Sequence, residues 1–152
     1  SMGKADSEGA LVSTPWPARR RGPGILAPLI LASGMAVAQP LLDENTERLL
    51  VEAVSAAADV DLYNARCRSD QSGRRTNNLN KILASKFRLT VLKVQDDLFP
   101  EGSYRRAQAR LQEEFLARLK EAGGCAGAKE ADMPTVLGDR YDDLLHQIEK
   151  LP

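Results

Sequence analysis

From Leu49 onward, apolar residues return every three or four positions: Leu49, Leu50, Ala53, Val54, Ala57 and Val60, then Tyr63 and Cys67. That spacing puts them on one face of a helix, which Asp43 and Asn45 precede. The run Arg68-Ser69-Asp70-Gln71-Ser72-Gly73-Arg74-Arg75 has turn formers and no apolar side chain, so a loop is expected there. Thr76 or Asn77 then caps a second helix, with Leu79, Ile82, Leu83, Phe87, Val91, Val94 and Leu98 on one stripe. The β-branched cluster around Thr90, Val91 and Val94 makes a short strand the alternative for its end.

Pro100-Glu101-Gly102 interrupts the pattern, and Ser103 caps a third helix carrying Tyr104, Ala107, Leu111, Phe115, Leu119 and Ala122, which Gly123-Gly124 terminates. After a small-residue loop over 126–131, Asp132 or Thr135, with Pro134 in the first turn, starts a fourth helix bearing Leu137, Tyr141, Leu144, Leu145, Ile148 and Leu151. Four helices with short connections predict an all-α fold, an up-down-up-down bundle. In that topology the ends of the first and third helices share one pole, and Cys67 and Cys125 stand at those two ends.

The start of the chain has a different pattern. Arg19-Arg20-Arg21 precedes the apolar stretch Gly24 to Met35, followed by Ala36-Val37-Ala38, the order of basic, apolar and small residues in a secretory signal. Cleavage is expected after Ala38, so residues 1–38 hold a cloning remnant at Ser1-Met2, an N-terminal extension and a signal peptide, and residues 39–152 the helical domain. A membrane anchor is the competing reading, but the apolar run is shorter than the about 20 residues a span needs and contains Pro28. Periplasmic or secreted location is therefore expected, with no stable membrane span after cleavage. An oxidising compartment in turn favours a disulfide between Cys67 and Cys125, the one intrachain bridge that two cysteines allow.

The chain has 21 Lys and Arg against 21 Asp and Glu, and one histidine. Zero formal charge argues against nucleic acid as a partner. One histidine and two cysteines cannot complete a zinc site of four cysteines or of two cysteines and two histidines. His146 follows Leu144 by two positions and so points outward. Asp59-x-Asp61, Asp96-Asp97 and Asp142-Asp143 lack calcium-loop spacing and are expected on solvated faces. Gly123-Gly124-Cys125-Ala126-Gly127 lacks the lysine of a phosphate loop and is expected to end a helix. No nucleophile elbow, metalloprotease motif or dinucleotide fingerprint occurs, so no catalytic residue, metal ligand or cofactor is assigned.

Charge order says more than the total. Residues 43–61 hold six acids and one base, whereas residues 66–93 hold eight bases and one acid, Asp70. Neighbouring helices of opposite sign are expected to neutralise one another along their shared edge. The alternative is a functional patch made by Arg66, Arg68, Arg74 and Arg75 beside the disulfide, suited to an acidic protein surface or a phosphate-bearing lipid. The build is similar to that of secretion-system pilotins, lysozyme inhibitors and immunity proteins, a likeness of architecture that implies an accessory or inhibitory role. A non-catalytic protein that binds a protein partner in the cell envelope is the leading expectation. A small enzyme using carboxylates such as Asp96, Asp97 or Glu101 is an alternative, and so is a bundle holding an apolar ligand beside Phe87 and Phe115.

Overall fold

Asp43 accepts the N–H of Thr46 at 2.7 Å and opens the first helix, α1 (Glu44–Cys67), of a computed structural model that describes residues 42–152. The expected signal segment, its cleavage point and the anchor alternative lie outside the described residues. No helix among those described is long and apolar enough to cross a membrane.

The middle of α1 is enclosed on every side. Ala56, Ala57, Ala58, Asp59 and Val60 are all buried in succession, which a helix with a single apolar stripe cannot achieve. Small side chains there let neighbours approach, and α1 packs against α2 (Arg74–Phe87), α3 (Val91–Asp97), α4 (Tyr104–Glu121) and α6 (Met133–Glu149). Leu50, Leu79, Leu83, Val94, Phe115, Tyr141 and Ile148 fill the centre. The stripe expected for the third helix is found on α4, where Ala107, Leu111, Phe115 and Leu119 are buried. On α6, Leu137, Tyr141, Leu144 and Ile148 face inward and His146 is exposed, also as expected.

The described residues are all-helical, and the four expected stretches become six helices. The second stretch splits because Arg88 takes a left-handed conformation at φ 58° and Thr90 restarts the chain as a cap, accepting the Lys93 N–H at 3.0 Å. Asn80 adds a second acceptor, for the Val91 N–H at 2.8 Å. The strand alternative at Thr90 to Val94 is thereby corrected to a capped helix. The small-residue loop is corrected to a short helix, α5 (Gly124–Glu130). Gly127 is needed there, since a Cβ would stand 1.8 Å from the Ala122 carbonyl oxygen.

Cys67 and Cys125 form a disulfide, with Cα atoms 5.4 Å apart and a separation of 58 positions along the chain. It ties the last residue of α1 to the first turn of α5, immediately after α4. The C-terminal ends of α1 and α4 therefore lie at one pole, as the helix order predicts.

Candidate partner-binding surface

The arginines stand on both sides of the loop beside the disulfide. Arg66 closes the last turn of α1 and Arg68 is its C-cap, where cations complement the negative end of the helix dipole. Arg68 lies 5.5 Å over the Tyr63 ring, which leaves its guanidinium at the surface. Arg74 and Arg75 were expected in the loop, yet they form the first turn of α2, and the cap is neither Thr76 nor Asn77. The N-cap is Gly73, left-handed and without a side chain to offer.

The missing cap comes from α1. Asp61 accepts the Arg75 N–H at 3.0 Å through Oδ1 and the Thr76 N–H at 2.8 Å through Oδ2, taking over the work of an N-cap side chain. Tyr141, buried in α6, donates its hydroxyl to the Arg75 carbonyl at 3.3 Å. Burial raises the Tyr141 hydroxyl above its ordinary pKa and keeps it a donor. Two core-anchored side chains thus hold the start of α2 against α1. Replacing Asp61 by alanine strands both N–H groups and should lower the unfolding free energy by about 1–2 kcal/mol. Amide hydrogen exchange at Arg75 and Thr76 should accelerate with it, while exchange in α4 changes only by the global loss.

Asp70 is the single acid in this loop. Hydrogen bonds from Ser72, with Arg74 and Arg75 adding to them, hold its carboxyl below the usual range. It accepts the Ser72 N–H at 3.0 Å. Its charge is committed to shaping the turn.

The expected neutralisation of α2 by α1 does not take the form of ion pairs. Among the described residues, no carboxylate lies within ion-pair distance of Arg66, Arg68, Arg74 or Arg75. The acids of α1 go elsewhere. Asp43 caps its own helix and Asp61 caps α2. Asp59 pairs with Arg118 of α4 at 2.8 Å and with Arg140 of α6 at 3.6 Å. Sequence spacing placed Asp59 and Asp61 on a solvated face. Asp59 is instead 5% exposed and knits three helices together.

Arginines farther along the chain contrast with those at the disulfide pole. Arg110 pairs with Glu101 and with Glu114, and its hydrogen bond to Glu101 holds that carboxyl below the usual range. Arg106 donates to the Glu101 carbonyl at 2.7 Å, and Arg105 lies over the Tyr104 ring. The carboxylates named for an enzyme also have partners: Asp96 accepts the Tyr104 N–H at 2.6 Å and Asp97 pairs with Lys93 at 3.3 Å. Among the described residues, no group of three His, Cys, Asp or Glu side chains is placed to hold a metal ion. Phe115 borders an open cleft of about 220 Å³, while Phe87 is partly buried against the core.

Comparison with protein-family models, curated proteins and solved structures finds no match to this chain.

Proposed function

We propose that this chain is an exported, periplasmic helical protein that binds another envelope or secreted protein through the pole bearing Arg66, Arg68, Arg74 and Arg75, in an accessory, inhibitory or immunity-like role without catalysis. In this reading the four long helices run up-down-up-down and the disulfide fixes the binding pole. One observation carries the proposal. Arg74 and Arg75 occupy the first turn of α2, the positive end of its dipole, and that turn contains no acid. Cations there cost about 0.3–1 kcal/mol each instead of stabilising. Asp61 offsets part of this through the main-chain N–H groups of Arg75 and Thr76, and Asp70 adds to it from the loop, but the arginine side chains have no ion-pair partner among the described residues. Local frustration of this kind is expected where a sequence serves binding rather than folding. A stapled surface also presents its guanidinium forks at reduced entropic cost, and an acidic protein surface is their natural complement.

The test uses Arg68→Ala, Arg74→Ala and Arg75→Ala together. The hydrogen bonds of Asp61 and Tyr141 to Arg75 and Thr76 are to main-chain atoms, so the triple variant keeps these anchors of α2. Its melting temperature should stay within about 2 °C of the parent or rise slightly, because unfavourable dipole contacts are removed. Capture of a specific envelope protein by the immobilised chain should fall about ten-fold or more. Unchanged capture together with a melting temperature lower by more than about 5 °C would mean that the arginines serve folding, as long-range counter-charge to α1.

A further inference from the structure

α1 and α4 run side by side toward the disulfide pole, and a groove follows α1 between them, its first part bounded also by Gly73, Thr76 and Asn77 at the start of α2 and by Val91 and Gln95 of α3. On α1 the ridge is Val54, Ala58, Leu62 and Arg66; on α4 it is Gln108, Gln112, Leu116 and Lys120, both at four-residue steps. Three clefts of about 300, 220 and 430 Å³ join through shared lining residues, Leu62 and Ala65 between the first two and Arg66 and Leu116 between the last two. From Val54 to Arg66 the groove runs about 18 Å at the helical rise.

Its chemistry is graded. The floor on α1 is apolar except for Asp61, whose carboxylate is taken up by the start of α2, and Leu116 on the rim is exposed although large and aliphatic. Four of the five glutamines among residues 42–152 line it: Gln71, Gln95, Gln108 and Gln112. Gln95 is 4% exposed and donates to Gln108 at 2.9 Å, yet its own amide oxygen accepts no hydrogen bond from the described residues. A buried acceptor left open costs stability until a donor arrives. At the disulfide end, Arg66 and Lys120 flank the exit beside Cys125.

We infer that this groove binds an extended segment of the partner protein, about five or six residues long at strand rise, apolar where it crosses α1 and acidic where it leaves between Arg66 and Lys120. Primary amides offer a donor and an acceptor without charge, which matches the main chain of an extended peptide. A helix satisfies its own main chain and would gain little from them. The acidic end is fixed by the two cations, with Arg68 following Arg66 at the end of α1. The inference rests on the reading of that pole as a protein-binding surface, and it adds the part of the partner that is recognised.

The probe is a display library of random heptapeptides flanked on both sides by carrier protein, selected on the full chain. Enriched peptides should place Asp or Glu on one side of two or more apolar residues. Fluorescence anisotropy with a labelled winner should then show binding about ten-fold weaker to Leu116→Glu and several-fold weaker to Gln112→Ala. Both substitutions are at exposed positions, and unchanged circular dichroism and melting confirm their folding. Absence of enrichment overturns the inference. So does a winner that binds both groove variants as well as the parent; if it also loses affinity for the triple arginine variant, the pole reading survives alone. Loss on the groove variants with full binding to the triple variant keeps the groove and removes the pole.

Discussion

Replacing Cys67 and Cys125 together by serine should lower the unfolding free energy by about 4 kcal/mol, the largest effect expected of any change outside the core. The bridge closes 58 residues of chain, and the chain-entropy account assigns a loop of that size about 4 kcal/mol through restriction of the unfolded ensemble. For a domain of this size, that is a substantial part of the total, which is typically about 5–15 kcal/mol. The melting temperature should drop on the order of 15–25 °C. Calorimetry of parent and variant, each checked for coincident near- and far-ultraviolet transitions, measures it. A drop below about 5 °C would mean that the ends of α1 and α4 stay together in the unfolded chain without the bond.

Phe115→Ala should cost about 3–4 kcal/mol, while Leu116→Ala, its sequence neighbour, should cost less than about 1 kcal/mol. Phe115 is 1% exposed and Leu116 is 37% exposed, although both are large apolar residues on α4. Truncating Phe115 removes buried apolar area and leaves a void. The second cleft reaches the Phe115 side chain, so part of that void should hydrate, which places the cost toward the lower end for such changes. Urea unfolding should show a reduced midpoint at unchanged slope for Phe115→Ala and a near-parental curve for Leu116→Ala. Equal costs at the two positions would show that Leu116 is a packing residue and remove one wall of the proposed groove.

Much of the helical framework was legible, because periodicity reports on burial. Leu111, Phe115 and Leu119, like Tyr141, Leu144 and Ile148, follow the spacing of three and four and are buried. The bridge was legible too, from two independent lines: the compartment inferred for the chain, and the pole shared by two helix ends. What escaped was chemistry supplied from a distance. Asp61 lies 14 residues from the N–H of Arg75 that it accepts, so no local window reveals that a helix begins at Arg74. Gly73, with no side chain to cap with, was the only nearby sign. Asp59 was misplaced for a related reason. Of Ala56, Ala57 and Ala58 only Ala57 falls on the stripe that spacing gives, whereas the small size of all three marks a helix enclosed by its neighbours, and a carboxylate in that stretch needs Arg118 and Arg140 from two other helices. Arg88 and Thr90 split a stripe that periodicity alone runs straight through.

The central claim, that arginines with no carboxylate partner among the described residues draw in an acidic partner at the disulfide pole, is tested most directly by the association rate of the captured partner as a function of ionic strength. Screening shortens the reach of the arginine field from about 14 Å near 50 mM salt to about 5–6 Å near 300 mM. The parent chain should therefore associate about ten-fold more slowly at the higher salt, with dissociation changing little. The Arg68, Arg74 and Arg75 triple variant should associate slowly at both, with a flattened salt dependence. Equal association rates for the two chains, with the same salt dependence, would contradict the account.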